Sequence, residues 1–111
     1  MNTDPIEGGL YSTRHDDGIY GVLKILKIDN AGVHVRQYSN QFTVRPASLD
    51  PDTLFMAGIQ REVGVKLGLG HTPVSHETFA NWDIQFIQVE PTSREELEDY
   101  ECWKEEGGGY F

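Results

Sequence analysis

The chain has a single cysteine among its 111 residues, and it has no long apolar run. One cysteine cannot form a disulfide within the chain, which suits a reducing compartment. Lys24 and Lys27 interrupt the longest apolar segment, which falls short of the roughly 18 residues needed to cross a bilayer. Residues 1–5 lack the basic and apolar regions of a signal peptide. We therefore expect a cytoplasmic protein.

Sequence motifs of the common enzyme classes are also missing. There is no Gly-x-Ser-x-Gly nucleophile elbow. The glycines of residues 64–70 match neither the P-loop nor the dinucleotide-binding fingerprint. Cys102 lies among carboxylates, which raise the pKa of a thiol and disfavour nucleophilic attack. The sequence therefore predicts no catalytic residue and no cofactor, and it favours a non-enzymatic role.

Basic residues are scarce in the last quarter of the chain. Residues 83–111 hold nine acids and two bases, a net charge of −7, whereas residues 1–82 hold nine acids and seven bases, a net charge of −2. A role centred on DNA or RNA is disfavoured, because phosphate binding needs a basic surface. An acidic surface instead suits a basic protein partner.

What the chain does contain is a clear β-hairpin pattern. Apolar residues dominate residues 19–28, and apolar and polar residues alternate along residues 33–38, with a turn at residues 29–32 between them. The turn predicts a hairpin closed by Gly32 in the left-handed region. Because the alternation of residues 19–28 is imperfect, we expect a bulge near Lys24 or burial of both faces. Further strands are expected near residues 10–11, at 42–45 and at 84–89.

The C-terminal segment has the pattern of an amphipathic helix. Ser93 and Glu96 match a capping box, and the glycines of residues 107–109 end the helix. One helix face is apolar and should pack on the sheet, and it carries Leu97, Tyr100 and Trp103. The opposite face should point to solvent, and it carries Glu95, Asp99, Cys102 and Glu106.

These elements together predict one α+β domain over residues 1–111. Its sheet is a small, mostly antiparallel sheet or an SH3-like partly open barrel, with a short helix capped by Ser75 and the amphipathic helix at the C-terminus. Residues 1–9 are expected to form a flexible arm, and residues 58–70 a mobile loop. Residues 107–111 are expected to form a tail whose aromatic end folds back on the domain.

The same pattern resembles a group of small uncharacterised bacterial proteins with an SH3-like barrel pattern, over about residues 8–111. The resemblance implies no activity and no catalytic residues. It is carried by these residues: Tyr20, Gly21, Val22, Lys24, Ile25, Leu26, Gly32, Val33, His34, Val35, Arg36, Arg45, Pro46, Gly70, His71, Pro73, Ser75, Phe79 and Trp82.

The leading functional hypothesis is a protein–protein interaction module. Glu95, Asp99 and Glu106 form the expected binding surface for a basic protein, since they share the solvent side of the helix. An immunity or antitoxin-like role, in which the protein covers a cationic toxin, is one version of this hypothesis. The oligomeric state is expected to be a monomer or a homodimer.

Two alternatives remain open. His71 and His76 lie in a segment interrupted by Pro73, which predicts a loop that could direct both imidazoles at a metal ion or form the centre of a small enzyme. The second alternative is an anion or nucleic-acid site on the hairpin, although nucleic acid is not the expected partner. Its residues would be Lys24, His34, Arg36 and Tyr38.

Overall fold

A computed structural model describes residues 5–109, which fold around a five-stranded antiparallel sheet. The strands are β1 (Gly9–Arg14), β2 (Tyr20–Ile28), β3 (Gly32–Gln37), β4 (Leu69–Ser75) and β5 (Ile84–Val89). The helices are α1 (His76–Phe79) and α2 (Arg94–Glu105), with a 3₁₀ helix at Pro51–Thr53. The strand order is β4-β3-β2-β1-β5, so β4 and β5 are the edges of an open sheet. The α+β class is confirmed, and the open sheet is one of the two predicted architectures.

The predicted hairpin is confirmed as β2 and β3. Its turn is closed differently from the prediction, because Gly32 does not have a positive φ. Instead Asp29 Oδ1 accepts hydrogen bonds from the main-chain N–H groups of Ala31 and Gly32, both at 2.9 Å. The carboxylate and the main-chain hydrogen bond from Asp29 N–H to Gly32 O at 3.0 Å close the turn without a left-handed residue. The register of β2 shifts between Ile25 and Lys27, which places the predicted bulge slightly after Lys24.

Strand β4 corrects the prediction of a loop through His71 and Pro73. Proline and glycine both count against a strand in the sequence, yet Pro73 pairs with His34 within β4. An edge strand tolerates proline because the outer side of its backbone makes no hydrogen bonds to a neighbouring strand, so the N–H that proline lacks is not needed there. The short helix capped by Ser75 is confirmed as α1, which ends at Phe79.

Residues 42–45 do not form the predicted strand. Phe42 makes an isolated bridge with Tyr20, with main-chain hydrogen bonds of 2.8 and 2.9 Å, and the chain then leaves the sheet. The side chain of Arg45 reaches back to the sheet, where its Nε donates to Ser12 Oγ at 2.8 Å. This side-chain hydrogen bond attaches the segment to β1, in place of the main-chain hydrogen bonds of the predicted strand.

The central strands divide their side chains between two faces. The face toward α1 holds the apolar cluster, which is buried and consists of Tyr11, Leu23, Ile25, Val33, Val35, Val74 and Phe79. We call this surface the apolar face. The strand pairing places Lys24 opposite both Leu10 and Arg36, so these side chains share the other face. We call the surface that carries Lys24, His34 and Arg36 the basic face.

Helix α2 is confirmed, including the capping box. Ser93 Oγ accepts from the N–H of Glu96 at 3.2 Å, and Glu96 Oε1 accepts from the N–H of Ser93 at 2.8 Å. Gly107 follows the helix with φ of 68°, as the glycine run predicts. The helix packs against β2 and β4. The exposed position of Cys102 is also confirmed.

The ends and the long loop complete the chain. Gly8 is buried and its N–H donates to Ile25 O at 2.7 Å, so the described part of the N-terminal arm contacts the sheet. Residues 58–68 lie outside the named strands, apart from a parallel bridge between Ala57 and Leu67. The predicted fold-back of Tyr110 and Phe111 lies outside the described residues.

Between residues 5 and 109, none of the helices has the length and apolar character that a membrane crossing requires.

Candidate functional site

Helix α2 lies directly over the basic face. Lys24, in the middle of β2, is only 4% exposed. Its Nζ donates to Glu96 Oε1 at 3.0 Å and to the main-chain oxygen of Pro91 at 3.2 Å. Burying an ammonium group is unfavourable unless it is paired and hydrogen-bonded, and these two acceptors meet that need. The first turn of α2 therefore supplies the carboxylate that neutralises Lys24 of β2.

Glu96 connects the helix cap to the sheet. Its carboxylate completes the capping box with Ser93 and also lies 3.9 Å from Arg36 through the second oxygen. Burial alone would raise the pKa of Glu96, but hydrogen bonds from the Ser93 N–H and from Lys24 outweigh burial and lower the pKa below its ordinary value. The residue is thus held as a carboxylate between two cations.

Arg36 and Tyr38 extend this ionic contact along β3 and just beyond it. Arg36 Nε donates to the main-chain oxygen of Gly70 on β4 at 3.3 Å. Burial, followed by the charge of Glu96, raises the pKa of Tyr38 to about 12. Tyr38 shares a cleft of about 300 Å³ with Lys24 and Glu96, among other residues. Its phenol therefore stays protonated at neutral pH.

A chain of hydrogen bonds joins Asp29, His34 and His71 next to the ion pairs. His34 is fully buried, with Nε2 at 3.0 Å from Asp29 Oδ2 and Nδ1 at 2.8 Å from His71 Nε2. The two rings are parallel within 6°, and their centroids are 5.1 Å apart. With nitrogens only 2.8 Å apart, the rings lie side by side in one plane and are not stacked face to face.

The donors in this chain follow from Asp29. An ionised carboxylate only accepts hydrogen bonds, so Nε2 of His34 carries the proton that it shares with Asp29. In neutral His34 the other nitrogen is then an acceptor, and Nε2 of His71 must donate to it. Protonation of both rings would place two N–H groups against each other. The arrangement therefore requires at least one neutral histidine.

The aromatic residues of α2 cover this histidine pair. Tyr100 and Trp103 each meet the His34 ring edge to face, with centroids 4.6 Å apart in both cases. Burial, together with the nearby charge of His34, lowers the pKa of His71, while Asp99 acts in the opposite direction. The predicted packing of Tyr100 and Trp103 on the sheet is confirmed, and both rings contact the imidazoles of His34 and His71.

The chain from Asp29 to His71 has the form of a proton relay whose two ends reach the surface, while its middle residue, His34, does not. His34 is 0% exposed and cannot touch a substrate. His71 is half-buried beneath α2, beside Tyr100 and Trp103. The arrangement thus resembles a polar core more closely than a nucleophilic active site.

His71 and His76, the predicted metal ligands, make different contacts. His71 bonds His34, whereas Nε2 of His76 lies 2.6 Å from the main-chain oxygen of Asp29. Within the described part of the chain, no group of three or more histidine, cysteine or acidic side chains is arranged to hold a metal ion. The structure therefore links both histidines to the Asp29 turn, and a shared metal remains only a prediction from the sequence.

The residues predicted to bind an anion are brought together, but α2 covers them. Lys24 and His34 are buried, and Arg36 and Tyr38 are half-buried. Lys24 and Arg36 meet the carboxylate of Glu96 from the same chain, and His34 meets that of Asp29. An external anion would have to displace Glu96 to reach Lys24.

The predicted partner-binding residues do lie at the surface. Glu95, Asp99 and Glu106 are exposed, and none of them makes a salt bridge with the described residues. Asp99 lies nearest to the sheet, since a Cβ atom added to Gly70 would be 2.9 Å from its Oδ2. The other acids of the exposed side are Glu98, Glu101 and Glu105.

Sequence reasoning missed Asp29 as a partner of His34 and Glu96 as a partner of Lys24. Asp29 was read only as a turn residue and Glu96 only as a cap. A signal was present, because a buried-looking strand that carries Lys24 needs an acid, and Glu96 is the one acid of the first helical turn that also faces inward. The pairing spans 72 residues, which no local pattern indicates.

Comparison of the chain with protein-family models, with curated proteins and with solved structures finds no significant match.

Proposed function

We propose that this protein is a non-enzymatic interaction module that presents the outer face of α2 to a basic protein. The observation that supports the proposal most directly is that the acids of α2 point in two directions, one toward the sheet and the others toward solvent. Glu96 faces inward and forms salt bridges with Lys24 and Arg36, while Glu95, Asp99 and Glu106 remain exposed. The inward contacts fix the helix, and the outward carboxylates are left to act on a partner.

Charge supports the same proposal. The chain carries a net charge of −9, of which −7 lies in residues 83–111. Two cations of the sheet under α2 are already paired with Glu96: Lys24 is buried and Arg36 is half-buried. They therefore screen the outer face only weakly, and its field is available to steer a cationic protein toward the helix.

An immunity or antitoxin-like protein is one concrete version of this proposal, since a cationic toxin matches the sign of the surface charge. We place the protein in the cytoplasm, in keeping with Cys102, which is exposed and unpaired. The resemblance to small bacterial proteins remains a prediction and adds no activity.

The test compares two triple variants with equal changes in net charge. The first is Glu95→Gln with Asp99→Asn and Glu106→Gln. The matched control, away from α2, is Asp16→Asn with Glu62→Gln and Glu77→Gln, whose acids are also exposed. Each variant is first checked for an unchanged thermal unfolding curve and then used to capture partners from a lysate of the source organism.

We expect the wild type and the control to capture the same basic protein, and the α2 variant to bind it about ten-fold or more weakly. Raising the salt concentration should weaken capture by the wild type, because exposed charges are screened. If the α2 variant binds the captured protein as tightly as the control does, the proposal is wrong.

A further inference from the structure

The outer edge of β5 is the part of the sheet that is least protected from pairing with another strand. Residues 84–89 contain no charge, no proline and no glycine. Natural sheets usually block an open edge with charged side chains, proline, a β-bulge or a covering segment. The opposite edge strand, β4, has Pro73 within it and packs against α2. In the described structure β5 has a bulge but neither a charge, a proline nor a helix packed on it.

Within residues 5–109, the backbone of β5 has no hydrogen-bond partner on its outer side. Arg14 N–H donates to Asp83 O at 3.1 Å, and Glu90 N–H donates to Gly8 O at 2.9 Å, so Asp83 and Glu90 direct their hydrogen bonds toward β1. Along an antiparallel strand, the backbone groups of successive residues point to opposite sides. The N–H and C=O groups of Ile84, next to Asp83, and of Val89, next to Glu90, therefore point away from β1. Among the described residues, only β1 makes main-chain-to-main-chain hydrogen bonds with residues 84–89, while the N–H of Leu49 donates to the side-chain oxygen of Gln88.

The side chains of this edge are exposed as well. Phe86 is 42% exposed and Val89 is 51% exposed, and both belong to the sheet face that holds Tyr11, since Phe86 pairs with Tyr11 and Val89 with Gly9. Free backbone groups beside exposed apolar side chains fit an added β-strand better than they fit a helix or a small molecule.

The sequence of β5 indicates which strand would fit. Residues 84–89 read Ile-Gln-Phe-Ile-Gln-Val, and the order of apolar and polar residues is the same in both directions. In a regular strand, Gln85 and Gln88 would lie on opposite faces. The register shift opposite Leu10 and Tyr11 changes this, because Gln85 pairs with Ser12 and Gln88 with Leu10, which share one face of β1. The bulge thus makes the strand self-complementary.

We propose that β5 pairs antiparallel with β5 of a second copy, which joins two sheets into one of ten strands across a two-fold axis. In this register Ile84 lies opposite the partner's Val89, and both residues belong to the apolar face. Gln85 lies opposite the partner's Gln88 on the other face. The outward backbone groups of Ile84 and Val89 then pair with each other, and the exposed Phe86 is covered near the axis.

Electrostatics are compatible with this contact. Helix α2 packs on β2 and β4, so the acidic faces of the two copies lie away from the shared edge. At each end of the contact, Glu90 of one copy approaches Asp83 of the other, whose carboxylate is already paired with Arg45 at 3.1 Å. Since each copy still carries −9, added salt should strengthen the dimer. A contact with a basic partner would weaken instead.

The proposal is tested on the full chain by sedimentation velocity across a range of protein concentrations. We expect the mass to rise from 12.5 kDa toward twice that value as the concentration increases, and to do so at lower concentration when salt is added. A mass that stays at 12.5 kDa at every concentration overturns the proposal.

Val89→Pro is the decisive variant, because proline removes the outward N–H of Val89 and leaves the ladder to β1 intact. Val89→Thr keeps that N–H and is the matched control. We expect at least a ten-fold weaker dimer for Val89→Pro and a change smaller than about three-fold for Val89→Thr. Equal dimerisation by the two variants overturns the assignment to β5.

A second measurement covers the case in which Val89→Pro does not fold. Hydrogen exchange of the wild type should slow at the amides of Ile84 and Val89 as the concentration rises, while the amides of β4 keep a constant rate. Concentration-independent exchange at Ile84 and Val89 contradicts the proposal.

Discussion

The two faces of one sheet are stabilised by different physics. The apolar face buries Leu23, Ile25, Val33 and Val35 almost completely under α1 and its neighbours. The basic face buries Lys24 and His34 to the same extent, but under the acids and aromatic rings of α2. Apolar burial depends on area and tolerates rearrangement, whereas a buried polar network requires that every partner be present. One face of these strands therefore tolerates changes in packing, whereas the other requires every partner of its polar network.

The apolar face should show the largest single loss. Ile25 is fully buried in the core cluster, so Ile25→Ala should lower the free energy of unfolding by about 3 kcal/mol through lost burial and a cavity. Val44, which is 78% exposed, gives the matched control, and Val44→Ala should change the value by less than about 0.5 kcal/mol. Urea unfolding measures both variants. Equal losses of unfolding free energy for the two variants would show that burial on the apolar face does not contribute to stability.

The basic face should show the next largest loss. Lys24→Met leaves the carboxylate of Glu96 half-buried without its nearest cation, which should cost about 2 kcal/mol in unfolding free energy. Lys66→Met breaks an ion pair of the same 3.0 Å length with Asp17, but its side chains are 31% and 51% exposed. That control should cost less than about 0.5 kcal/mol. If the two lysine variants lose the same stability, burial of the basic face contributes nothing.

Local patterns predicted much of the fold but little of the basic face. The Ser93 capping box and the β2–β3 hairpin depend on residues close in sequence, and both are confirmed. The contacts of Lys24 and His34 depend on which face α2 covers, and that is decided by residues far along the chain. Strand β4 was missed because Pro73 counts against a strand everywhere except at an edge.

The histidine pair should make the basic face sensitive to acid. Burial, followed by the charge of His34, lowers the pKa of His71 from 6.5, so the unfolded chain binds the proton more readily than the folded protein does. The stability from neutral His71 is complete above pH 6.5 and decreases as the pH falls through the lowered value. Chemical unfolding across this range should show a smaller pH dependence for His71→Asn than for the wild type.

Burial also lowers the pKa of His15, which lies outside the basic face, so His15→Asn serves as a separate control for the remaining pH dependence. The lowered pKa of Glu96 gives a second decrease in stability, confined to pH below 4.5, where the carboxylate takes up a proton. A His71→Asn variant with the full pH dependence of the wild type would show that the histidine pair does not affect stability.

The outer face of α2 should show the smallest effect on stability. Glu95 and Glu106 are exposed and make no salt bridge with the described residues. Glu95→Gln and Glu106→Gln should therefore each change the unfolding free energy by less than about 0.5 kcal/mol, measured by urea titration. A loss as large as that of Lys24→Met would mean that these acids hold the fold together and are not available for a partner.

The most direct test is a double-mutant cycle between β2 and α2, with Lys24→Met, Glu96→Gln and the combined variant. Glutamine can still complete the capping box, so the cycle isolates the contact between helix and sheet. We predict a coupling energy of at least about 1 kcal/mol, with the combined variant less destabilised than the sum of the two single variants. A coupling energy near zero would show that α2 does not rest on Lys24 and would contradict the account of the basic face.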